Sequence, residues 1–255
     1  MTKAYESKDL ESAYKIDKLL NLEKNYKFLN DGLSEMIYYS NFLKLICLFE
    51  QIDDVMKEYE RVTPHAYTPT FSVMEEILKA IELNEGYHYV PKIWGDLILF
   101  NYSKRSDLIE SLLNIAAKEK HEDGLQSLLV EMAESIVTKA EEDEANMRIS
   151  RPMILTGGMI GHIMKIYTNA NQYENASKML EMYIAKANKI SGFVSEEALL
   201  EIGGWYVSSK EIEKCFDVIK IMSDFGYQKV EKLRAQIQEK LDLTEDQKKI
   251  LDDIV

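Results

Sequence analysis

The stretch YTNANQYENASKMLEMY, residues 167 to 183, places a polar break between two apolar patterns. The break at residues 169–172 is rich in asparagine and favours a turn. After it, four apolar residues recur at the spacing of one helix face, namely Ala176, Met179, Leu180 and Tyr183. We therefore interpret the stretch as the turn and second helix of a helical hairpin.

The same pattern, apolar at positions i, i+3, i+4 and i+7, occurs five times along the chain. The sets are Ile52, Val55, Met56 and Tyr59; Val90, Ile93, Trp94 and Leu97; Leu125, Leu128, Leu129 and Met132; Ala176, Met179, Leu180 and Tyr183; and Ile212, Cys215, Phe216 and Ile219. Their first members are 38, 35, 51 and 36 residues apart. Three of these spacings are close to the roughly 34 to 36 residues of helix-turn-helix repeats.

A partner helix with its own apolar stripe precedes each set. The stripes are Tyr39, Phe42, Leu43 and Ile46; Met74, Ile77, Leu78 and Ile81; Leu108, Leu112 and Ile115; Ile160, Ile163, Met164 and Tyr167; and Leu199, Ile202 and Tyr206. Alternating strand patterns joined by Asn-Gly or Asp-Gly turns do not occur. The predicted fold is therefore all-α, an α-solenoid of helix-turn-helix repeats.

Turn and capping residues agree with this prediction. Thr68 followed by Pro69 predicts a helix N-cap with proline at the first helical position, and Pro152 predicts another helix start. Thr244 and Gln247 form the pattern of a capping box before a short final helix. The glycines of TGGMIGH, residues 156 to 162, predict close helix packing, since no strand precedes them and no Lys-Ser or Lys-Thr follows.

The spacing of 51 contains the charged run TKAEEDEANMRISR, residues 138 to 151. Either the helix before it continues into solvent and a loop follows, or the run is a docking element for one partner. The predicted organisation is a remnant of a preceding repeat at 1–30, a first half of the array at 31–140, an acidic insertion or loop at 141–151, and a second half with C-terminal capping helices at 152–255.

Composition restricts the class of protein. A net charge of −13 argues against a protein that holds nucleic acid through a broad basic surface. No run of eighteen apolar residues is present, so we expect no membrane partner. Cys47 and Cys215 each lie in an apolar helical pattern and are predicted to be buried, reduced thiols.

The sequence offers no recognisable catalytic chemistry. The four histidines share no metal-ligand spacing with one another or with the cysteines, and paired carboxylates are expected throughout an acidic chain. No nucleophile motif or nucleotide fingerprint occurs. We predict that the protein is not an enzyme and that it has no catalytic, cofactor-binding or metal-binding residues.

Small basic clusters are the remaining candidates for nucleic-acid contact. Lys104 with Arg105, and Lys186 with Lys189, are predicted to lie at repeat edges, where they either contact RNA or stabilise helix C-termini. These four residues are candidate RNA contacts.

Longer stretches resemble the pentatricopeptide repeat family, in particular its members from the mitochondrial small ribosomal subunit. They are YYSNFLKLICLFEQIDDVMKEYERVTPHAYTPT (38–70), VPKIWGDL (90–97) and RSDLIESLLNIAAKEKHEDGLQ (105–126). The resemblance extends over roughly residues 20 to 255 and includes the closing LTEDQKKILDD. It implies a mitochondrial matrix protein, with its transit peptide and N-terminal repeats absent from this sequence. It also implies association with small-subunit ribosomal RNA and ribosomal proteins, support of mitochondrial translation, and messenger RNA delivery.

One departure from the family bears on mechanism. Plant-type members read bases with a polar residue near the middle of each first helix, and here Glu76, His162 and Glu201 fall near that position. Carboxylates repel phosphate, so we expect no one-base-per-repeat code, and only His162 joins the candidate RNA contacts. The alternative function is a protein-protein adaptor with no direct RNA contact in this segment.

Overall fold

A computed structural model describes residues 1–22, 25, 32–146, 148 and 152–254 of the chain, without the side chains of residues 32 and 33. Every regular element in these residues is helical, and none of them forms a strand. The α-helices are α1 (Thr2–Glu6), α2 (Leu10–Leu20), α3 (Gly32–Phe49), α4 (Ile52–Val62), α5 (Phe71–Leu83), α6 (Val90–Leu99), α7 (Ser106–Ala117), α8 (Asp123–Ala145), α9 (Gly157–Asn169), α10 (Tyr173–Ala185), α11 (Glu196–Ser209), α12 (Ile212–Asp224), α13 (Val230–Lys240) and α14 (Glu245–Asp253). A 3-10 turn, Tyr87–Tyr89, precedes α6.

The chain forms two compact units, Met1–Ser103 and Lys104–Val255. In the first unit α3 packs against α1, α2, α4 and α5. The predicted stripes of α3 to α6 are buried there, including Phe42, Tyr59 and Trp94. Asp17 joins α2 to its neighbours, because it accepts hydrogen bonds from the Tyr38 hydroxyl at 2.7 Å and the Arg61 guanidinium at 2.9 Å.

In the second unit the first helices of successive repeats pack on one another. Helix α9 contacts α7 and α11, and α11 contacts α13. The second helices α8, α10 and α12 each contact a first helix of their own or the next repeat. The prediction of an all-α fold of helix-turn-helix repeats is confirmed.

The turn at residues 169–172 has the predicted role. Helix α9 ends at Asn169 and α10 begins at Tyr173. Between them Asn171 has a left-handed φ of 57°, which an asparagine tolerates better than most residues. The Gln172 amide donates to the Tyr167 carbonyl at 2.8 Å and closes the turn. Ala176 is fully buried just after it.

The predicted phase of α8 is wrong by about one residue. Leu128 is 48 % exposed, whereas Val130 and Ala133 are buried. The helix buries a polar residue, Gln126, which donates to the Ile166 carbonyl and accepts from the His121 amide, both at 3.1 Å. Because a satisfied amide costs little to bury, a pattern of apolar residues alone missed this face.

Three predicted segment boundaries differ from the structure. Helix α5 takes Thr70 as its N-cap instead of Thr68, and α9 begins after Thr156, not at Pro152. Helix α8 continues to Ala145, so the first part of the predicted loop at 141–151 is helical. The rest of that loop at 147 and 149–151, the first-segment residues 23, 24 and 26–30, and positions 31 and 255 lie outside the described residues.

The predicted capping box is present. The Thr244 hydroxyl accepts from the Gln247 amide at 3.3 Å, and the Gln247 side chain accepts from the Thr244 amide at 3.0 Å. Close packing also explains Gly161, one of the predicted glycines, and Gly203 of α11, although only Gly203 lies against another helix. A Cβ on Gly203 would lie 2.7 Å from Leu233 of α13, whereas one on Gly161 would lie 3.0 Å from the Ser195 amide in a loop.

Candidate nucleic-acid interface

Three of the five candidate RNA contacts gather at the C-terminal end of α8. Lys104 Nζ lies 3.5 Å from Asp143 Oδ2, and Lys186 Nζ lies 2.6 Å from Glu144 Oε2. Lys189 lies one turn beyond Lys186, since its amide donates to the Lys186 carbonyl at 2.8 Å. Lys104 and Lys186 therefore each pair with a carboxylate of the segment that the sequence marked as an acidic insertion.

Asp143 anchors the chain that returns from α8. Its carboxylate is buried and accepts a hydrogen bond from the Met153 amide at 2.9 Å. This amide, and then the charge of Lys104, lower the pKa of the Asp143 carboxyl against the opposing effect of burial. Asp143 is thus ionised at neutral pH and holds residue 153 against the helix.

Glu144, the next residue of α8, interacts with Lys186 and Lys189, which lie at and just after the end of α10. The hydrogen bond from Lys186, then its charge, and then the charge of Lys189 lower the pKa of Glu144. Lys186 is also the C-cap residue of α10, where a cation is favoured by the helix dipole. The lysines that the sequence suggested as RNA contacts are therefore largely neutralised by carboxylates of the same chain.

Arg105 and His162 lie apart from this cluster in their interactions. Arg105 Nη2 pairs with Asp107 Oδ2 at 2.9 Å, and this hydrogen bond is the largest cause of the lowered pKa of Asp107. His162 is half-buried on α9, and burial lowers its pKa although the charge of Glu110 opposes the shift. A histidine with a pKa below 6.5 is neutral at pH 7 and brings no positive charge to a phosphate.

The other two residues near the family's base-reading position are paired. Glu76 accepts from Lys79 Nζ at 2.8 Å, one turn along α5. Glu201 on α11 accepts from Lys165 of α9. These pairs leave each carboxylate facing a lysine of the same unit.

An apolar groove of about 210 Å³ opens beside the paired lysines. Lys186, Lys189, Glu141 and Glu144 are its charged lining residues. The name apolar groove is used below for the surface that its apolar lining residues form, namely Ala140, Pro152, Met153, Ile154, Leu155, Met182 and Ile190. Ile154 is 56 % exposed there. Sequence reasoning missed this groove, because residues 152–155 have no helical period and the acidic run reads as a solvated helix face.

Neither thiol chemistry nor metal binding is indicated in the described part of the chain. Cys47 and Cys215 are buried and unbridged, and burial raises the pKa of each thiol to about 12. No group of three or more His, Cys, Asp or Glu side chains in those residues is placed to hold a metal ion. None of the helices described is both long and apolar enough to cross a bilayer.

Comparison with known proteins identifies a set of relatives. The chain is 28 % identical over 249 residues to small ribosomal subunit protein mS39 of Danio rerio, which covers 98 % of this chain and 36 % of the relative. It is 34 % identical over 197 residues to mS39 of Drosophila melanogaster, covering 76 % and 30 %, and 29 % identical over 247 residues to mS39 of Bos taurus, covering 97 % and 35 %. The chain is a homologue of the mS39 proteins.

The mS39 relationship confirms the resemblance seen in the sequence, since mS39 is pentatricopeptide repeat domain-containing protein 3. These relatives are named as a ribosomal subunit protein, which is not an enzyme, in agreement with the prediction from the sequence. The chain spans about a third of the length of the mS39 relatives named above.

The crystal structure of the pentatricopeptide repeat protein PPR10 from maize is similar with a TM-score of 0.44 and 10 % sequence identity, covering 88 % of this chain and 28 % of that one. No family model matches the chain.

Proposed function

We propose that the chain is part of a component of the mitochondrial small ribosomal subunit that supports mitochondrial translation. The observation that carries the proposal is the similarity to mS39 proteins over nearly the whole chain. By the same proposal, the complete protein associates with small-subunit ribosomal RNA and ribosomal proteins in the matrix and assists messenger RNA delivery.

Within this segment the geometry favours contact with proteins. The chain carries a net charge of −13, and Lys104, Arg105 and Lys186 each face a carboxylate within 3.5 Å. A phosphate at these positions has to displace an intramolecular partner. Protein surfaces offer basic and apolar groups that suit such a surface better than a polyanion does.

Direct RNA contact at the repeat edge is the second candidate, and one observation favours it. Lys104 and the neighbouring pair Lys186 and Lys189 all lie near carboxylates in the last turns of α8, although Lys104 is far from the other two in sequence. A phosphate could take the place of Glu144 between Lys186 and Lys189.

Sedimentation tests the ribosomal role. The complete protein that contains this chain, tagged and expressed in mitochondria, is expected to sediment with small subunits on a sucrose gradient. A related helical-repeat protein of the matrix without a ribosomal role serves as the control. Migration of the tagged protein with free proteins, away from the small subunit, would refute the proposal.

Salt dependence separates the two modes of contact in this segment. If Lys104, Lys186 and Lys189 each neutralise a phosphate, ribosomal RNA binding by the purified chain weakens about 20- to 40-fold between about 50 and 200 mM salt. The protein mode predicts no measurable RNA binding in a filter assay even at the lower salt. The ribosomal proposal stands in either case, because this test uses the isolated chain.

A further inference from the structure

A second apolar hollow of about 290 Å³ adjoins the apolar groove in the same unit. We call it the aromatic hollow, formed by Tyr183, Ile184, Ile190, Phe193, Ile221 and Phe225. Ile190 lines both surfaces, so the two recesses are neighbours. Together they offer two recesses side by side.

Large apolar side chains are exposed in both recesses. Ile154 is 56 % exposed in the apolar groove, and Phe193 is 64 % exposed in the aromatic hollow. The Phe193 ring is held against Phe225, with ring centroids 4.5 Å apart. Contiguous exposed apolar surface of this kind marks an interaction site more often than scattered single residues do.

The charges around the recesses restrict the partner. Glu141, Glu144 and Asp224 lie exposed on the rim together with Lys186 and Lys189. Glu144 already interacts with Lys186 and Lys189. The negative charge that an approaching segment meets therefore comes from Glu141 and Asp224. These carboxylates attract Lys or Arg and repel phosphate.

Two other occupants fit less well. An RNA strand in the groove would contact the apolar side chains of Met153, Ile154 and Ile190. These side chains offer no hydrogen bonds to bases or phosphates. A second copy of this chain also carries a net charge of −13, so its approach is opposed by repulsion between like charges.

We propose that the apolar groove and the aromatic hollow dock one amphipathic, basic segment of another ribosomal protein. Apolar side chains of that segment fill the two recesses, and its Lys or Arg side chains face Glu141 and Asp224. This inference rests on the proposed ribosomal function, from which it takes the class of the partner.

Photo-crosslinking on assembled small subunits tests the proposal. A cysteine placed by Ile154→Cys in the complete protein is labelled with benzophenone maleimide, while Cys47 and Cys215 are buried and label slowly. Purified subunits that contain the labelled protein are irradiated. The expected adduct is with another ribosomal protein, at a peptide with apolar residues flanked by Lys or Arg.

A second substitution tests whether the two recesses hold the same segment. Phe193→Asp in the labelled protein is expected to lower the adduct yield at residue 154 at least fivefold. Leu83→Asp makes the same chemical change at a side chain 81 % exposed in the other unit and should leave the yield unchanged. Circular dichroism melting curves of the two variants check that both fold.

The outcomes separate this inference from the proposed function. If the complete protein is absent from the purified subunits, both the docking proposal and the proposed ribosomal function are wrong. A protein present in the subunits that crosslinks only to RNA, to a second copy of itself or to nothing overturns the docking site and leaves the ribosomal role intact. An equal adduct yield with Phe193→Asp overturns the claim that one segment fills both recesses.

Discussion

At the residue scale, charged side chains in this protein act mainly on one another. Lys104, Arg105 and Lys186 were candidates for RNA, yet each lies within 3.5 Å of a carboxylate. Asp143, the partner of Lys104, is buried, but the exposed pairs of Arg105 and Lys186 contribute little to the free energy of unfolding. Their effect is on function, because they reduce the positive charge that a nucleic acid meets.

Trp94 tests the helix phase of α6. It is 4 % exposed, and Trp94→Ala is expected to lower the free energy of unfolding by about 3 to 5 kcal/mol, since it removes a large buried ring and leaves a cavity. Urea unfolding followed by circular dichroism measures the loss. Leu83→Ala, at an exposed position, should cost less than about 0.5 kcal/mol. A loss under about 1 kcal/mol for Trp94→Ala would contradict the buried position.

Asp143 makes stability depend on pH in the acid range. Its folded-state pKa is lowered from the ordinary value of 3.8, so its stabilisation is complete above that value and is lost as the pH falls through the folded pKa. Asp143→Asn keeps an acceptor for the Met153 amide but loses the charge, at a cost of about 1 kcal/mol at pH 7.

The comparison of melting curves at pH 7 and below pH 4 measures this contribution. The difference between the original protein and Asp143→Asn should shrink as the pH falls, because the protonated aspartic acid no longer carries the charge that the variant lacks. A difference that stays constant over this range would show that the Asp143 charge does not stabilise the fold.

At the element scale, small residues determine how closely helices approach. Helix α11 carries adjacent glycines with different surroundings. A Cβ on Gly203 would lie 2.7 Å from a methyl group of the fully buried Leu233, whereas the nearest atom to a Cβ on Gly204 is 3.9 Å away on Gln236. Gly203 therefore sets the distance between α11 and α13.

These two glycines provide a matched pair of substitutions. Gly203→Ala is expected to lower the free energy of unfolding by about 1 to 2 kcal/mol, because overpacking outweighs the better helix propensity of alanine. Gly204→Ala should raise it by about 0.5 to 1 kcal/mol, since only the propensity changes. Chemical unfolding of both variants gives the two values. Equal effects of the same sign would show that α13 does not pack closely on α11.

The helices were the most predictable level of organisation. Stripes such as Ile160, Ile163 and Met164 were read from spacing alone, and all three are buried. The prediction for α8 failed because a buried Gln126 is satisfied by a carbonyl forty residues away in sequence, which no local pattern reveals. The start of α9 was misplaced because Pro152 belongs to the apolar groove and precedes the helix by several residues.

At the scale of the whole molecule, the balance of charge shapes what the chain can bind. A net charge of −13 disfavours RNA overall, and the carboxylates at the end of α8 also neutralise the few lysines that come together. Removal of those carboxylates should therefore uncover RNA binding, even though the chain remains acidic.

The double variant Glu141→Gln and Glu144→Gln tests this balance. At about 50 mM salt it is expected to bind ribosomal RNA measurably, whereas the original chain does not, because Lys186 and Lys189 lose their partner. Filter binding measures the change. Glu131→Gln with Glu134→Gln removes the same charge roughly two to four turns earlier on α8 and should have a much smaller effect. Equal gains for both pairs would mean that net charge alone is responsible.

The sequence by itself determined most of the helices and the hairpin turns, because helical period and turn chemistry are local properties of neighbouring residues. Its longer stretches also carried the resemblance that the mS39 relatives confirm. Only the tertiary structure decided that Lys104 and Lys186 meet Asp143 and Glu144, and that residues 153–155 complete an apolar groove. Those contacts join positions about 40 residues apart. Ion pairing and groove shape depend on distances in space, which the order of residues along the chain does not give.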